Sequence, residues 1–136
     1  MIISKAVADE MRECFMGRST ECGGLLGERD GRICRFAPDE GRSGIGEYIP
    51  DTDRLNRILS EWQSEGIGFA GIVHTHLGGC RSLSLADEKS IREIHYSVGS
   101  NVLYFPIVTF DEGEMILTAY KIDESGIKKV SHMYLS

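Results

Sequence analysis

The chain has 136 residues, the length of one ordinary domain and enough to bury a core without disulfides or an oligomer. Hydrophobic residues make up 41% and charged residues 26%, globular proportions that rule out a disordered or fibrous chain. Fifteen Lys and Arg against 21 Asp and Glu leave a formal charge of −6, which argues against a nucleic-acid partner and against an anionic membrane surface.

Residues 2–16 place Ile3, Val7, Met11 and Cys14 at steps of three and four, with Phe15 beside them, which predicts a helix stopped at Gly17. Two short apolar runs, 22–28 and 32–37, flank Arg29-Asp30-Gly31 and read as a hairpin. The stretch 39–50 is rich in Gly and charge and reads as a loop. Asp51 or Thr52 caps a second helix that carries Leu55, Ile58, Leu59 and Trp62 inward and ends at Gly66. Residues 67–73 form a compact apolar run, a buried strand, followed by a polar loop from His74 to Leu83. Ser84 opens a third helix with Ile91, Ile94 and Val98 inward. Residues 102–110, 114–122 and 127–134 read as strands, and Pro106 demands an edge position or a bulge in the first of them. This order of elements predicts an α/β layered domain with a mixed sheet and helices on its faces.

No apolar run has the length of a membrane span, and the N-terminal stretch turns charged too early for a signal-peptide core, so a cytoplasmic chain is expected. Cys14, Cys22, Cys34 and Cys80 contain no CxxC pair, which disfavours a zinc ribbon or a thioredoxin-like site. They are also too sparse for a disulfide scaffold and are expected as thiols.

Chemistry concentrates in His74-Thr75-His76, followed by Ser84 and Asp87. If the chain stays extended past His74, the two imidazoles point to one side, because side chains alternate along a strand. Asp87, one turn into the third helix, can fold its carboxylate back toward them. Two His and one carboxylate leave a coordination position to water, the pattern of a catalytic zinc rather than a closed structural one. Such a site needs a base, and Glu21, ahead of the run Cys22-Gly23-Gly24-Leu25-Leu26-Gly27, is the candidate. Its meeting with His74 is not readable from the residues alone. HExxH is absent, as is the H-x-E and PCxxC pattern of zinc deaminases.

Glu21, His74-x-His76, Ser84 and Asp87, in this order and spacing, resemble the JAMM motif of the MPN family of zinc metallopeptidases. The small-residue run after Glu21 and Gly71-Ile72-Val73 before His74 are similar too, so the likeness spans roughly residues 3–122. Leu77 stands where the family has proline, which leaves that loop less constrained. The resemblance implies a single JAMM/MPN domain over 1–136, with a three-layer α/β/α (cytidine deaminase-like) fold around a mixed central β-sheet. It implies one zinc ion (Zn2+) per chain on His74, His76 and Asp87. Glu21 would be the catalytic proton shuttle, and Ser84 would hydrogen-bond the oxyanion. The implied reaction is hydrolysis of an amide or isopeptide bond at the C-terminal tail of a ubiquitin-like or sulfur-carrier protein, the tail docking beside a strand.

Plainer readings stand beside this one. Ser84 and Asp87 also form a capping-box signature, and Ser84 can serve both purposes. Cys80, in the loop between the ligands, reads first as an incidental thiol, Cys22 as a small buried residue, and Trp62 as core. His95, on the inner face of the third helix, and His132, in the last strand, read as packed or surface histidines. Two other functions remain open: a catalytically silent MPN scaffold that binds a partner, and a small-peptide metallopeptidase without a ubiquitin-like partner. Oligomeric state is not readable.

Overall fold

The computed structural model describes residues 1–41, 48–99 and 102–136, so the loop expected over 39–50 lies, from 42 to 47, outside the described residues. The chain opens with a short strand, β1 (Ile2–Ser4), and only then forms α1 (Lys5–Phe15). Ile3 was expected on the helix face. It instead pairs with Ile33 on one side and Tyr134 on the other, and it is fully buried. A step of four to Val7 fits a helix, but two flanking strands offer Ile3 ladder bonds that no local spacing reveals. Val7, Met11 and Phe15 form the buried face of α1, and Gly17 takes the left-handed conformation (φ 76°) at its end.

β2 (Gly23–Arg29) and β3 (Arg32–Asp39) make the expected hairpin. Asp30 and Gly31 both have positive φ, as a two-residue turn matched to the twist of the strands requires. Asp51, rather than Thr52, caps α2 (Thr52–Ser64), its side chain accepting from the Arg54 N–H at 3.2 Å. β4 (Gly68–Thr75) runs two residues past the apolar stretch and takes in His74 and Thr75. A 3₁₀ turn (Leu77–Gly79) and α3 (Leu85–Val98) follow. Ile91 is buried and Ile94 half-buried, but Val98, expected inward, is 45% exposed. The last turn of α3 carries it to the surface.

The expected strand over 102–110 is interrupted, as Pro106 demands, into β5 (Leu103–Tyr104) and β6 (Ile107–Asp111). The break is not at an edge. Both pieces lie between β4, which they parallel, and β7 (Glu114–Asp123), to which they are antiparallel. The predicted strand over 127–134 is likewise two, β8 (Gly126–Val130) and β9 (Met133–Leu135). β8 pairs with β7, whereas β9 lies parallel to β1. The sheet order is therefore β8, β7, β5/β6, β4, β2, β3, β1, β9. Only Ser131 and His132 separate strands at its two ends, so the sheet curls until those ends are adjacent. His132 belongs to this link and packs edge-on against Tyr134.

Two cores lie on the two faces. On one, Val7, Met11 and Phe15 of α1 pack against Leu26, Ile33, Val73 and Val108. On the other, Leu55 and Trp62 of α2 and Ile91 of α3 pack against Leu25, Ile72 and Phe105. The result is the α/β class expected, helices on both faces of a mixed central sheet. Among the described residues no helix is long and apolar enough to cross a membrane.

Candidate metal centre

The end of β4 builds the first half of the centre. Gly23 lies opposite His74, and the Thr75 N–H donates to the Cys22 carbonyl at 2.8 Å, so β2 and β4 are in register up to this point. Continuing that register sets Glu21 across from His76. Residues directly opposite share a face, with Cβ atoms about 4.5–5.5 Å apart. Glu21, His74 and His76 thus lie on the α2/α3 face of the sheet. Cys22 alternates to the other face, where it is buried with its thiol 3.9 Å from the Thr75 hydroxyl.

The helix α3 supplies the second half. Ser84 caps it: its Oγ accepts from the Asp87 N–H at 3.0 Å, and its own N–H donates to Asp87 Oδ2 at 2.9 Å. This reciprocal box fixes the Asp87 carboxylate against the histidines. His76 Nε2 is 3.0 Å from Asp87 Oδ2, His74 Nε2 is 3.3 Å from Asp87 Oδ1, and the two Nε2 atoms are 3.0 Å apart.

That triangle suits a cation. Zinc ligands at about 2.0–2.1 Å in tetrahedral array are spaced about 3.3 Å from one another. His76 Nδ1 lies 3.1 Å from the Cys80 carbonyl, an acceptor, so Nδ1 carries a proton and Nε2 is the nitrogen left to bind a metal in place of its own proton. Two imidazole nitrogens and a carboxylate facing one another at this range repel unless a proton or a cation lies among them. The group His74, His76 and Asp87 could therefore hold a metal ion. Without one, the hydrogen bond to Asp87 pushes the His76 pKa up to about 9 despite its burial. Burial pushes the Asp87 carboxyl up, but hydrogen bonds from His74, His76 and the Ser84 N–H together hold it well below its ordinary range. A small cleft walled in part by Ile72, Ile91 and Phe105 opens beside His74 and Asp87.

Of the residues singled out in the sequence, the structure gathers His74, His76, Asp87 and Ser84 and sets Glu21 on the adjoining strand end. Cys80 contributes its carbonyl to His76, while its thiol is exposed and lies 3.8 Å from the Ser82 carbonyl. His95 stays apart from the centre on α3, with a buried Nε2 that has no hydrogen-bond partner among the described residues. The sequence reading missed Tyr48 and Asp39. The Tyr48 N–H donates to Glu21 Oε2 at 3.3 Å, its ring stacks near-parallel to His74, and its hydroxyl donates to Asp39 at 2.9 Å. Neither belongs to a spaced motif. An aromatic and an acid inside a Gly-rich stretch carry no periodic signal.

No protein-family profile matches the sequence, and no curated protein is significantly similar to it. Among solved structures, the fold is similar to that of protein DSY2949 from Desulfitobacterium hafniense, with a TM-score of 0.78 and 19% identity over 100% of this chain and 94% of that one. It is also similar to AF2198, a JAB1/MPN domain protein from Archaeoglobus fulgidus, with a TM-score of 0.61 and 15% identity over 100% of both chains. At these identities the likeness is one of fold: the chain has an MPN-like α/β fold.

Proposed function

We propose that the chain is a zinc-dependent metallopeptidase of the JAMM type. It hydrolyses an amide or isopeptide bond at the C-terminal tail of a ubiquitin-like or sulfur-carrier protein. The observation that carries this reading is the convergence of His74 Nε2, His76 Nε2 and the Asp87 carboxylate within 3.0–3.3 Å on an MPN-like fold; extending the β2/β4 register beyond Gly23 and His74 brings Glu21 beside them. A zinc ion held by these three side chains would polarise the scissile carbonyl and bring the pKa of water to about 7. Glu21 takes a proton from the attacking water and delivers it to the leaving amine, acting as base and then acid. The Ser84 hydroxyl accepts from the Asp87 N–H, so its own proton is left to donate to the oxyanion of the tetrahedral intermediate.

The test is hydrolysis of a ubiquitin-like protein carrying a C-terminal extension by the zinc-loaded chain. Glu21→Gln should retain about one zinc per chain, because Glu21 is not a ligand, and lose turnover by roughly 10²-fold or more. An intact, zinc-loaded protein that cleaves no such fusion would sink the proposal. A protein that binds no zinc at all favours the silent scaffold instead.

A further inference from the structure

The side chain of Asp39 is an acid buried to 4% exposure at the end of β3, and three donors converge on it. The Tyr48 hydroxyl lies at 2.9 Å, the Gly41 N–H at 3.1 Å and the Asp51 N–H at 3.1 Å. The Arg54 guanidinium stands 3.9 Å away on its outer side. One carboxylate therefore ties the chain at Gly41 and again at Asp51, the cap of α2, and anchors a tyrosine between them. From Tyr48 two contacts lead into the metal centre. Its N–H meets Glu21 Oε2 at 3.3 Å, and its ring lies 18° from parallel with the His74 imidazole, centroids 6.2 Å apart. Glycines make the seat for the ring. A Cβ on Gly23 would stand 2.8 Å from the Tyr48 ring and 2.5 Å from the Val73 carbonyl, and one on Gly41 would stand 3.0 Å from the ring. Burial, and then the Asp39 charge, push the Tyr48 phenol up, so it remains a hydrogen-bond donor.

We infer that Tyr48, locked by the buried Asp39 carboxylate, is a positioning residue that holds one oxygen of Glu21 and one face of the His74 ring. Its effect on turnover rests on the proton-shuttle reading of Glu21 above. A carboxylate that moves a proton during bond cleavage has to be placed within a fraction of an ångström. A backbone N–H on Oε2 restricts the rotation of that carboxylate.

Two kinds of measurement test this. In the metal-free protein, NMR should show the Tyr48 amide proton moving upfield on Glu21→Gln and the His74 ring protons moving on Tyr48→Phe. If either resonance stays put, the contact is absent and the inference falls, whatever the protein hydrolyses. In the zinc-loaded protein, Tyr48→Phe should keep its zinc and its KM while kcat drops roughly tenfold. Loss of zinc, or a change confined to KM, overturns the positioning role. Asp39→Asn should reproduce the drop, and the double variant should be no worse than the poorer single one, because both remove one link. Losses that multiply overturn the locking of Tyr48 by Asp39.

Discussion

His76 has both ring nitrogens assigned by their neighbours: Nδ1 to the Cys80 carbonyl and Nε2 to Asp87. In the metal-free protein this makes stability depend on pH in two directions. The raised pKa of His76, about 9, gives stabilisation that is full below the ordinary histidine value and lost as pH rises through about 9. The lowered pKa of Asp87 gives stabilisation that is full above the ordinary carboxylate value and lost as pH falls below it. Chemical denaturation with chelator present should therefore find the pair's contribution greatest between about pH 4 and 6.5. A metal must displace the His76 proton. Binding near neutral pH should then release about one proton per ion, read as a dependence of calorimetric heat on buffer ionisation enthalpy. A third residue-scale prediction concerns Gly23. With the Val73 carbonyl 2.5 Å from a Cβ built there, Gly23→Ala forces strand or ring to move. It should cost about 1–3 kcal/mol in urea denaturation. That Gly23 is small was legible in the sequence; that its missing side chain seats Tyr48 was not.

At the scale of elements, α3 begins where the centre needs it because Ser84 caps the helix and Asp87 closes the box. One pair of hydrogen bonds both starts a helix and aims a ligand. Ser84→Ala should therefore lose about 1 kcal/mol of stability, while metal affinity changes little, because the backbone N–H of residue 84 still holds Asp87 Oδ2. Ser84→Thr keeps the cap and should restore the lost stability in urea denaturation. The capping signature was legible, since Ser then acid at the third position is a local pattern. The length of β4 was not. Apolar residues end at Val73, and the strand continues because Thr75 and Cys22 exchange hydrogen bonds on one side while His74 and Thr75 pair with Ile107 and Val108 of β6 on the other. Periodicity likewise merged β8 with β9, because a local pattern cannot show that two residues cross from one end of a curled sheet to the other.

In the whole molecule, the centre joins β4, in the middle of the sheet, to the capped end of α3, whose Ile91 packs on the same face of the sheet. A metal that binds the folded chain should stabilise it by about 2.7 kcal/mol at a hundredfold excess over Kd. Scanning calorimetry should show Tm rising with zinc and falling back with chelator. His76→Ala should abolish that rise. An equal rise in this variant would mean the ion binds elsewhere.

Local chemistry was enough to specify the hairpin turn at Asp30-Gly31, the cap of α3 and the pair of candidates for that of α2, the alternation of helices and strands, and His74, His76 and Asp87 as candidate ligands. Each depends on residues a few positions apart, whose backbone preferences and side-chain spacing act before the chain folds. Pairing between distant strands decided the rest. It made a strand of Ile2–Ser4, set Pro106 inside the sheet, sent β9 to β1, and set Glu21 just ahead of β2, whose Gly23 lies opposite His74. It also brought Asp39 and Tyr48 to the centre, because a buried carboxylate takes whichever donors the fold delivers, and no spacing along the chain records that choice.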